Sequence, residues 1–406
     1  MVLLILICFL TMSAVNAANQ TAEQTFSDLQ TLIDDADEKS SIELDCDYSY
    51  DGKDDNTISV YKELTINGNN HVLDGKGKIG IMEISSKVTI NNVIFKNGES
   101  ENGGAIYAYE VIINNSEFES NHGSYMGGAI FISGISTLKN GNTNGKETLF
   151  SDAAVINNCK FIENNAVYGG AIYATNGIIE NCKFTNNEAE YGGAINAEDA
   201  VIKNSEFIAN YAYNDGGAIF ATNSIISSSS FSNNVAGSYG GAVYSDRSLL
   251  DGCKFTSNRA DLGGGVTAFS SKISNCEFYS NTAKEEGGAI YSFYNLLVNN
   301  IFKDNKAQRG EAIYGVDTII KDCIFKNNTN LLIDESKPSY TGLSINDYDW
   351  DCYQESGLDT SEGSYTHHDL DKSLNSISKE SATGNPLALL LISLLIPVIN
   401  FKKFKR

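Results

Sequence analysis

The sequence predicts an all-β protein: a right-handed, single-stranded parallel β-helix (a solenoid) with a short N-terminal capping helix and a C-terminal hydrophobic anchor. Three observations carry this expectation. A pair of glycines followed by a small, an aliphatic and usually an aromatic residue begins at Gly103, Gly127, Gly169, Gly192, Gly216, Gly240, Gly263, Gly287 and Gly310. A Phe with Asn three residues later keeps the same phase, from Phe118/Asn121 to Phe325/Asn328. Apart from one step of 42, successive copies lie 23 or 24 residues apart, a period at which each unit can bury its apolar face only against its neighbours.

In chain order, Leu3 to Met12 is apolar and is followed by Val15-Asn16-Ala17, the small-residue pattern of a cleaved secretory signal over residues 1–17. Residues 18–40 are expected to form the capping helix. Phe26, Leu29, Leu32 and Ile33 recur there at helical spacing behind Ser27-Asp28-Leu29-Gln30, which reads as a capping box. Such a helix would cover the open first coil and hide its unpaired edge from other chains.

Residues 41–330 form the solenoid. The residue five before each Phe is aliphatic (Ile113, Ile156, Ile179, Ile202 and onward). Two before the Phe stands Ser or Cys, with Asn300 the exception, and between that residue and the Phe it is mostly charged or polar. Such alternation marks a short strand with one face inward. The pattern returns after the glycines, where Ile106, Ile130, Ile172, Ile195 and their equivalents turn inward. Each unit therefore holds two or three short strands, joined by turns in which Gly and Asn accept left-handed backbone. Ten to twelve coils at about 4.8 Å each give a shaft of roughly 50–60 Å. A leucine-rich repeat shares the Ile-x-Asn-Cys-x-Phe-x-x-Asn spacing, but Leu is scarce in these columns and a Gly-Gly pair would break the helix that fold needs.

Five cysteines (Cys159, Cys182, Cys253, Cys276, Cys323) share the inward column otherwise filled mainly by Ser. Stacked neighbours there are close enough to bridge, although side chains pointing the same way suit a ladder of thiols. Residues 331–385 read as an acidic linker rich in Ser and Asp. Within it Asp347, Asp349 and Asp351 alternate like the start of a calcium loop, but Leu358 stands where the closing Glu belongs. Pro386 to Phe401 is apolar and precedes Lys402-Lys403-Phe404-Lys405-Arg406, so 386–406 is expected to be a membrane or sorting anchor with its basic end in the cytoplasm.

The Gly-Gly-Ala-Ile and Phe-x-x-Asn pairing resembles the polymorphic membrane protein repeat of bacterial surface proteins. It is still more similar to the adhesin-like surface proteins of methanogenic archaea. Leu64-Thr-Ile-Asn-Gly-Asn-Asn-His-Val-Leu-Asp-Gly75 and Val88-Thr-Ile-Asn-Asn-Val-Ile-Phe-Lys-Asn97 resemble the opening coils of that group's pectate-lyase-like β-helices, and Thr383-Gly384-Asn385-Pro386 resembles the segment before its hydrophobic terminus. The resemblance spans roughly residues 25–330. Val93, in place of a small residue, and Gly310-Glu311-Ala312-Ile313 depart from the pattern at the two ends of the array. The resemblance implies a secreted, membrane-tethered archaeal surface protein that makes contacts and catalyses nothing.

Fifty-one acidic against 29 basic residues, a net charge of -22, argue against nucleic acid or anionic lipid as partners. Catalysis on a polysaccharide, as in β-helical pectate lyases and polygalacturonases, needs grouped carboxylates and a nearby His or Arg. The chain has four His and four Arg, with His122, Arg259 and Arg309 expected in turns, His367-His368 in the linker, and Glu188, Glu190, Asp215, Glu285 and Glu286 scattered over turns. No catalytic residue, cofactor or metal site is expected. Two features could bind. The outward column after the inward aliphatic reads Tyr107, Phe131, Tyr173, Asn196, Phe220, Tyr244, Thr267, Tyr291, Tyr314, an aromatic stripe able to stack on sugar rings or a partner protein, or simply to brace the sheet. The 42-residue step inserts residues 136–152, whose Lys139, Asn140, Asn142, Asn144 and Lys146 would sit on a long loop; such loops recognise ligands or are neutral. The expected function is adhesion to a carbohydrate or cell-surface protein, with a surface polysaccharide lyase or hydrolase, or a passive spacer, as alternatives.

Overall fold

The structure, a computed structural model, describes residues 24–53, 57–133, 154–328 and 332–334, all within one compact unit. The signal segment, insertion 136–152, linker and anchor lie outside the described residues. No helix among those described is long and apolar enough to cross a membrane.

The described chain is a parallel β-solenoid. Three long sheets of 13, 12 and 12 strands run along it, and every strand pairs in parallel with the equivalent strand of the next coil. In one repeat the chain passes through Ile219–Thr222 on a glycine face, Ile225–Ser227 on an isoleucine face and Ser230–Ser232 on a phenylalanine face. A fourth, short face follows the Phe-x-x-Asn phrase, in segments such as Tyr211–Asp215 and Arg259–Leu262. The sequence led us to expect turns there. His122 opens the strand His122–Met126, Arg259 opens its own, Glu188, Glu190, Asp215, Glu285 and Glu286 lie within strands, and Arg309 is bridged to Glu286. These segments alternate only weakly, because their middles are bulged and shift register.

The interior consists of columns. Phe95, Phe118, Phe161, Phe184, Phe207, Phe231, Phe255, Phe278 and Phe302 are fully buried, or nearly so. Their rings, continued by Phe325, stack at 4.7–5.0 Å with interplanar angles of 3–9°. That separation is the strand spacing itself, so identical residues in register repeat one contact along the shaft. The inward Ile, Val and Leu of the glycine and isoleucine faces are likewise buried down to Ile313. Phe118 stacks directly on Phe161 across the 42-residue step, so the stack is continuous on either side of it.

The corners follow one rule. A residue with positive φ turns the chain, and the next residue points a small polar side chain inward. At three corners these pairs are Asn223/Ser224, Asn204/Ser205 and Ala209/Asn210, with φ of 49°, 50° and 53° for the turning residue. The inward side chain accepts the corner N–H of the preceding coil: Ser205 N donates to Ser229 Oγ at 3.1 Å and Asn210 N to Asn234 Oδ1 at 3.0 Å. A sheet cannot pair amides where the strand bends, and an unpaired buried N–H would cost a lost hydrogen bond; these ladders remove that cost. The Asn of Phe-x-x-Asn is thus an interior acceptor and donor rather than a turn former. At the fourth corner Gly216 has φ +67° and a Cβ on Gly217 would meet Gly241 O at 2.1 Å, so neither position tolerates a side chain.

The helix spans Phe26–Asp35, shorter than the expected 18–40, with Phe26, Leu29 and Ile33 buried. Leu32 is 43% exposed, because it falls on the outer edge of the apolar stripe. The capping box is formed by Thr25 and Asp28, two residues earlier than Ser27 and Gln30 suggested. The helix does protect an edge. Gln30 exchanges two hydrogen bonds with the backbone of Ser59 (2.7 and 3.1 Å), on the first strand of the glycine face, standing where another strand would pair.

The six described cysteines are free thiols. Cys182 Sγ accepts from Cys159 N at 3.4 Å, as Ser does elsewhere in the column. Burial pushes the Cys182 and Cys276 thiols well above the ordinary thiol value of 9.0. The folded state therefore favours their protonated form. Its contribution to stability is complete below that value and is lost as pH rises through it. Urea midpoints are expected to fall progressively as pH rises above 9.0, and alkylating reagents to reach Cys159, Cys182, Cys253 and Cys276 only on unfolding. Labelling of these four in the folded protein would contradict the buried column.

Candidate functional site

The corner built from Gly-Gly brings two outward columns together. The residue before the first glycine belongs to the short face (Tyr168, Tyr191, Asp215, Tyr239), and the residue after the inward aliphatic belongs to the glycine face. Because the corner itself carries no side chains, rings from both faces meet over bare backbone. Tyr191 meets Phe220 edge-on at 6.0 Å, and Tyr239 lies 6.2 Å from Tyr291.

The structure places Tyr107, Phe131, Tyr173, Phe220, Tyr244, Tyr291 and Tyr314 in one register column, each half-buried. Stacked pairs are Tyr107–Phe131 (5.0 Å), Phe131–Tyr173 (5.5 Å), Phe220–Tyr244 (4.5 Å, 3°) and Tyr291–Tyr314 (5.5 Å). Asn196 and Thr267 interrupt the column. The sequence reading missed further aromatics around the interruptions. Tyr191 reaches Phe220 from the short face, while Phe269 and Phe293 carry contact from Tyr244 to Tyr291. Spacing from the first glycine of each pair, one before and six after, could have found both sets. Lys139, Asn140, Asn142, Asn144 and Lys146 lie outside the described residues.

Tyr244 is one of two strongly perturbed phenols of the corner. Burial first, then Asp246, Asp215 and Tyr239, push its pKa up to about 12. Tyr107 also rises to about 12, through its hydrogen bond with Tyr109 and then burial. Two carboxylates therefore act on Tyr244, a grouping the sequence did not reveal because they lie 31 residues apart. Asp246 is paired with Arg247 at 3.1 Å. Asp215 has no cation within ion-pair distance among the described residues. Its Oδ1 accepts from Tyr239 N at 3.3 Å, and burial raises its pKa against that bond.

The remaining titratable groups are dispersed. His122 Nε2 stands 3.8 Å from Glu99, and His71 Nδ1 is 3.0 Å from Asp47, in the first coils. On the phenylalanine face Lys183–Glu206 (2.9 Å) and Lys254–Glu277 (3.8 Å) pair across coils; such exposed pairs contribute about 0–1 kcal/mol. A shallow cleft beside Ser257, Arg259, Ser280 and Lys284 opens on the other edge of the short face.

Comparison with known proteins agrees with the repeat. The Chlamydia polymorphic membrane protein repeat matches residues 228–246 and 275–292, each stretch holding one Phe-x-x-Asn and one Gly-Gly-Ala phrase. No curated protein matches the chain as a whole. Among solved structures, the ORF18 protein of Geobacillus virus E2 overlaps 81% of this chain at 9% identity and a TM-score of 0.33; the chain spans 64% of that protein. PfbA, a surface adhesin of Streptococcus pneumoniae, overlaps 75% of this chain and 84% of its own at 15% identity and a TM-score of 0.35. A PL6 alginate lyase in complex with a trisaccharide overlaps 80% and 89% at 9% identity and a TM-score of 0.36. An adhesin and a lyase match at the same level, so the likeness does not separate the two activities. What the chain shares by sequence is the polymorphic membrane protein repeat, within an all-β parallel solenoid.

Proposed function

We propose that this chain is a secreted, non-enzymatic surface protein of adhesin-like character, tethered through residues 386–406, whose aromatic corner contacts glycans or a partner surface. The observation that carries this reading is the run of rings along the Gly-Gly corner, half-exposed over a rigid scaffold, from Tyr107 to Tyr314. Tyr and Phe offer large contact area at little conformational cost and stack on sugar faces. The match to a surface-protein repeat supports an extracellular location, and the kinship to methanogen adhesin-like proteins belongs to the same reading.

A hydrolytic reading has one observation in its favour: Asp215 and Asp246 both act on Tyr244, one raised by burial and the other ion-paired. A pair of carboxylates, one of them with a raised pKa, is part of the inventory of a glycosidase.

The test is a glycan and whole-cell binding screen with residues 18–385, alongside an assay for released reducing or unsaturated ends. Saturable binding is expected without product. Paired replacements Phe131→Ala/Tyr173→Ala and Tyr291→Ala/Tyr314→Ala are each expected to weaken it about tenfold, as befits about 0.5–1.5 kcal/mol per aromatic contact. Tyr244→Ala and deletion of 136–152 probe the centre and the insertion. Cleavage products abolished by Asp215→Asn would establish the hydrolase, and failure of every ligand would leave a spacer.

A further inference from the structure

The Gly-Gly corner contains one group that its structural role does not explain. Along the short-face column the residues before the glycine run Tyr168, Tyr191, Asp215, Tyr239, in register with one another. A fourth tyrosine at 215 would continue the stack. Instead a carboxylate is held half-buried between Tyr191 in the coil before and Tyr239 in the coil after. Across the corner lie Phe220 of its own coil and Tyr244 of the next, stacked at 4.5 Å. The same column holds a second acid, Glu286, and that one is ion-paired with Arg309. Asp215 is matched by no cation among the described residues, and only its Oδ1 is hydrogen-bonded, to one backbone N–H.

Such a placement is unfavourable as it stands. Burial penalises the charged form, and the faces of the surrounding rings are themselves electron-rich. Both penalties reverse for a positively charged ligand, which a carboxylate attracts directly and ring faces attract through their quadrupoles. We infer that Asp215, Tyr191, Phe220, Tyr239 and Tyr244 form a binding site for an organic ammonium group. An ammonium bearing N–H fits better than a quaternary one, because Asp215 Oδ2 is free to accept a hydrogen bond while the rings enclose the adjoining carbons. The chain's net charge of -22 favours cationic over anionic ligands in general.

The site lies on the corner assigned above to contact and deepens that reading, on which it rests. Its failure is separable through the Phe131/Tyr173 pair, whose stacking partners lie outside the cage, whereas Tyr291 packs against Tyr239. The experiment is a calorimetric or NMR titration of residues 18–385 with glucosamine, and with N-acetylglucosamine as its uncharged counterpart. Choline serves as a quaternary probe. Glucosamine is expected to bind saturably, at least tenfold tighter than N-acetylglucosamine and tighter than choline, and to weaken with added salt. Asp215→Asn keeps the shape and an acceptor for Tyr239 N, so its melting curve should match the parent while glucosamine affinity falls at least tenfold. Tyr244→Leu should weaken it severalfold. Equal binding of the two sugars would make the corner a neutral glycan platform and overturn the inference. Undiminished binding by Asp215→Asn, or no glucosamine binding by the parent, would overturn it as well.

Discussion

Phe207→Ala is expected to lower the unfolding free energy by about 3–5 kcal/mol. Phe207 is fully buried and stacked on Phe184 and Phe231, each at 4.8 Å. Truncation removes the ring from both contacts and leaves a cavity whose walls are backbone-paired strands. Those strands cannot collapse inward without breaking register with the coils on either side, so little of the lost contact is recovered. The same substitution at Phe325, 37% exposed at the far end of the ladder, should cost well under half as much, since only one neighbour and part of the burial are lost. Urea denaturation of the two variants side by side reads the difference. Equal costs would mean the ladder does not carry the stability assigned to it.

The second large effect is expected at Asn234. Its Oδ1 accepts from both Asn210 N and Asn210 Nδ2 at 3.0 Å, and its Nδ2 donates to Phe207 O at 3.1 Å and to Asn258 Oδ1 at 3.0 Å. Asn234→Ala strands two donors and one carbonyl of the neighbouring coils away from water. At about 1–3 kcal/mol for each buried group left unpaired, the loss should be several kcal/mol. If Asn234 served only as a turn residue, as the Gly- and Asn-rich spacing first suggested, replacement would change stability by roughly half a kcal/mol or less. Equilibrium unfolding of this one variant separates the two roles.

These two residues also show how much was readable from the chain. The Phe column could be read because inward and outward residues alternate with period two on either side of it, and copies 23 or 24 residues apart reinforce one another. The inward Ile after each glycine pair followed from the same in-phase comparison. The Asn ladder was hidden because turn chemistry and interior ladders select the same residue type. Only the positive φ of the preceding residue, Ala209 before Asn210 for example, shows which member of the pair makes the turn. The short face was missed because its bulges break alternation.

The candidate site was half-legible for a similar reason. Tyr107 to Tyr314 form a single column and stand at fixed distance from each glycine pair. Phe269 and Phe293 lie two residues further along the same face, whereas Tyr191 comes from a second face, and its pairing with Phe220 depends on a corner geometry that spacing does not encode. Asp215 and Asp246 converge on Tyr244 only because one coil later the chain returns to the same side.

The most direct test of coil-on-coil stacking is a distance between spin labels at positions 96 and 303, outward on the phenylalanine face, with the native cysteines replaced by Ser. These positions occupy one register column eight coils apart, so a stacked solenoid gives a narrow distribution near 38 Å at about 4.8 Å per coil. A broad distribution, or a mean far from that value, would contradict the stack and the aromatic corner built on it.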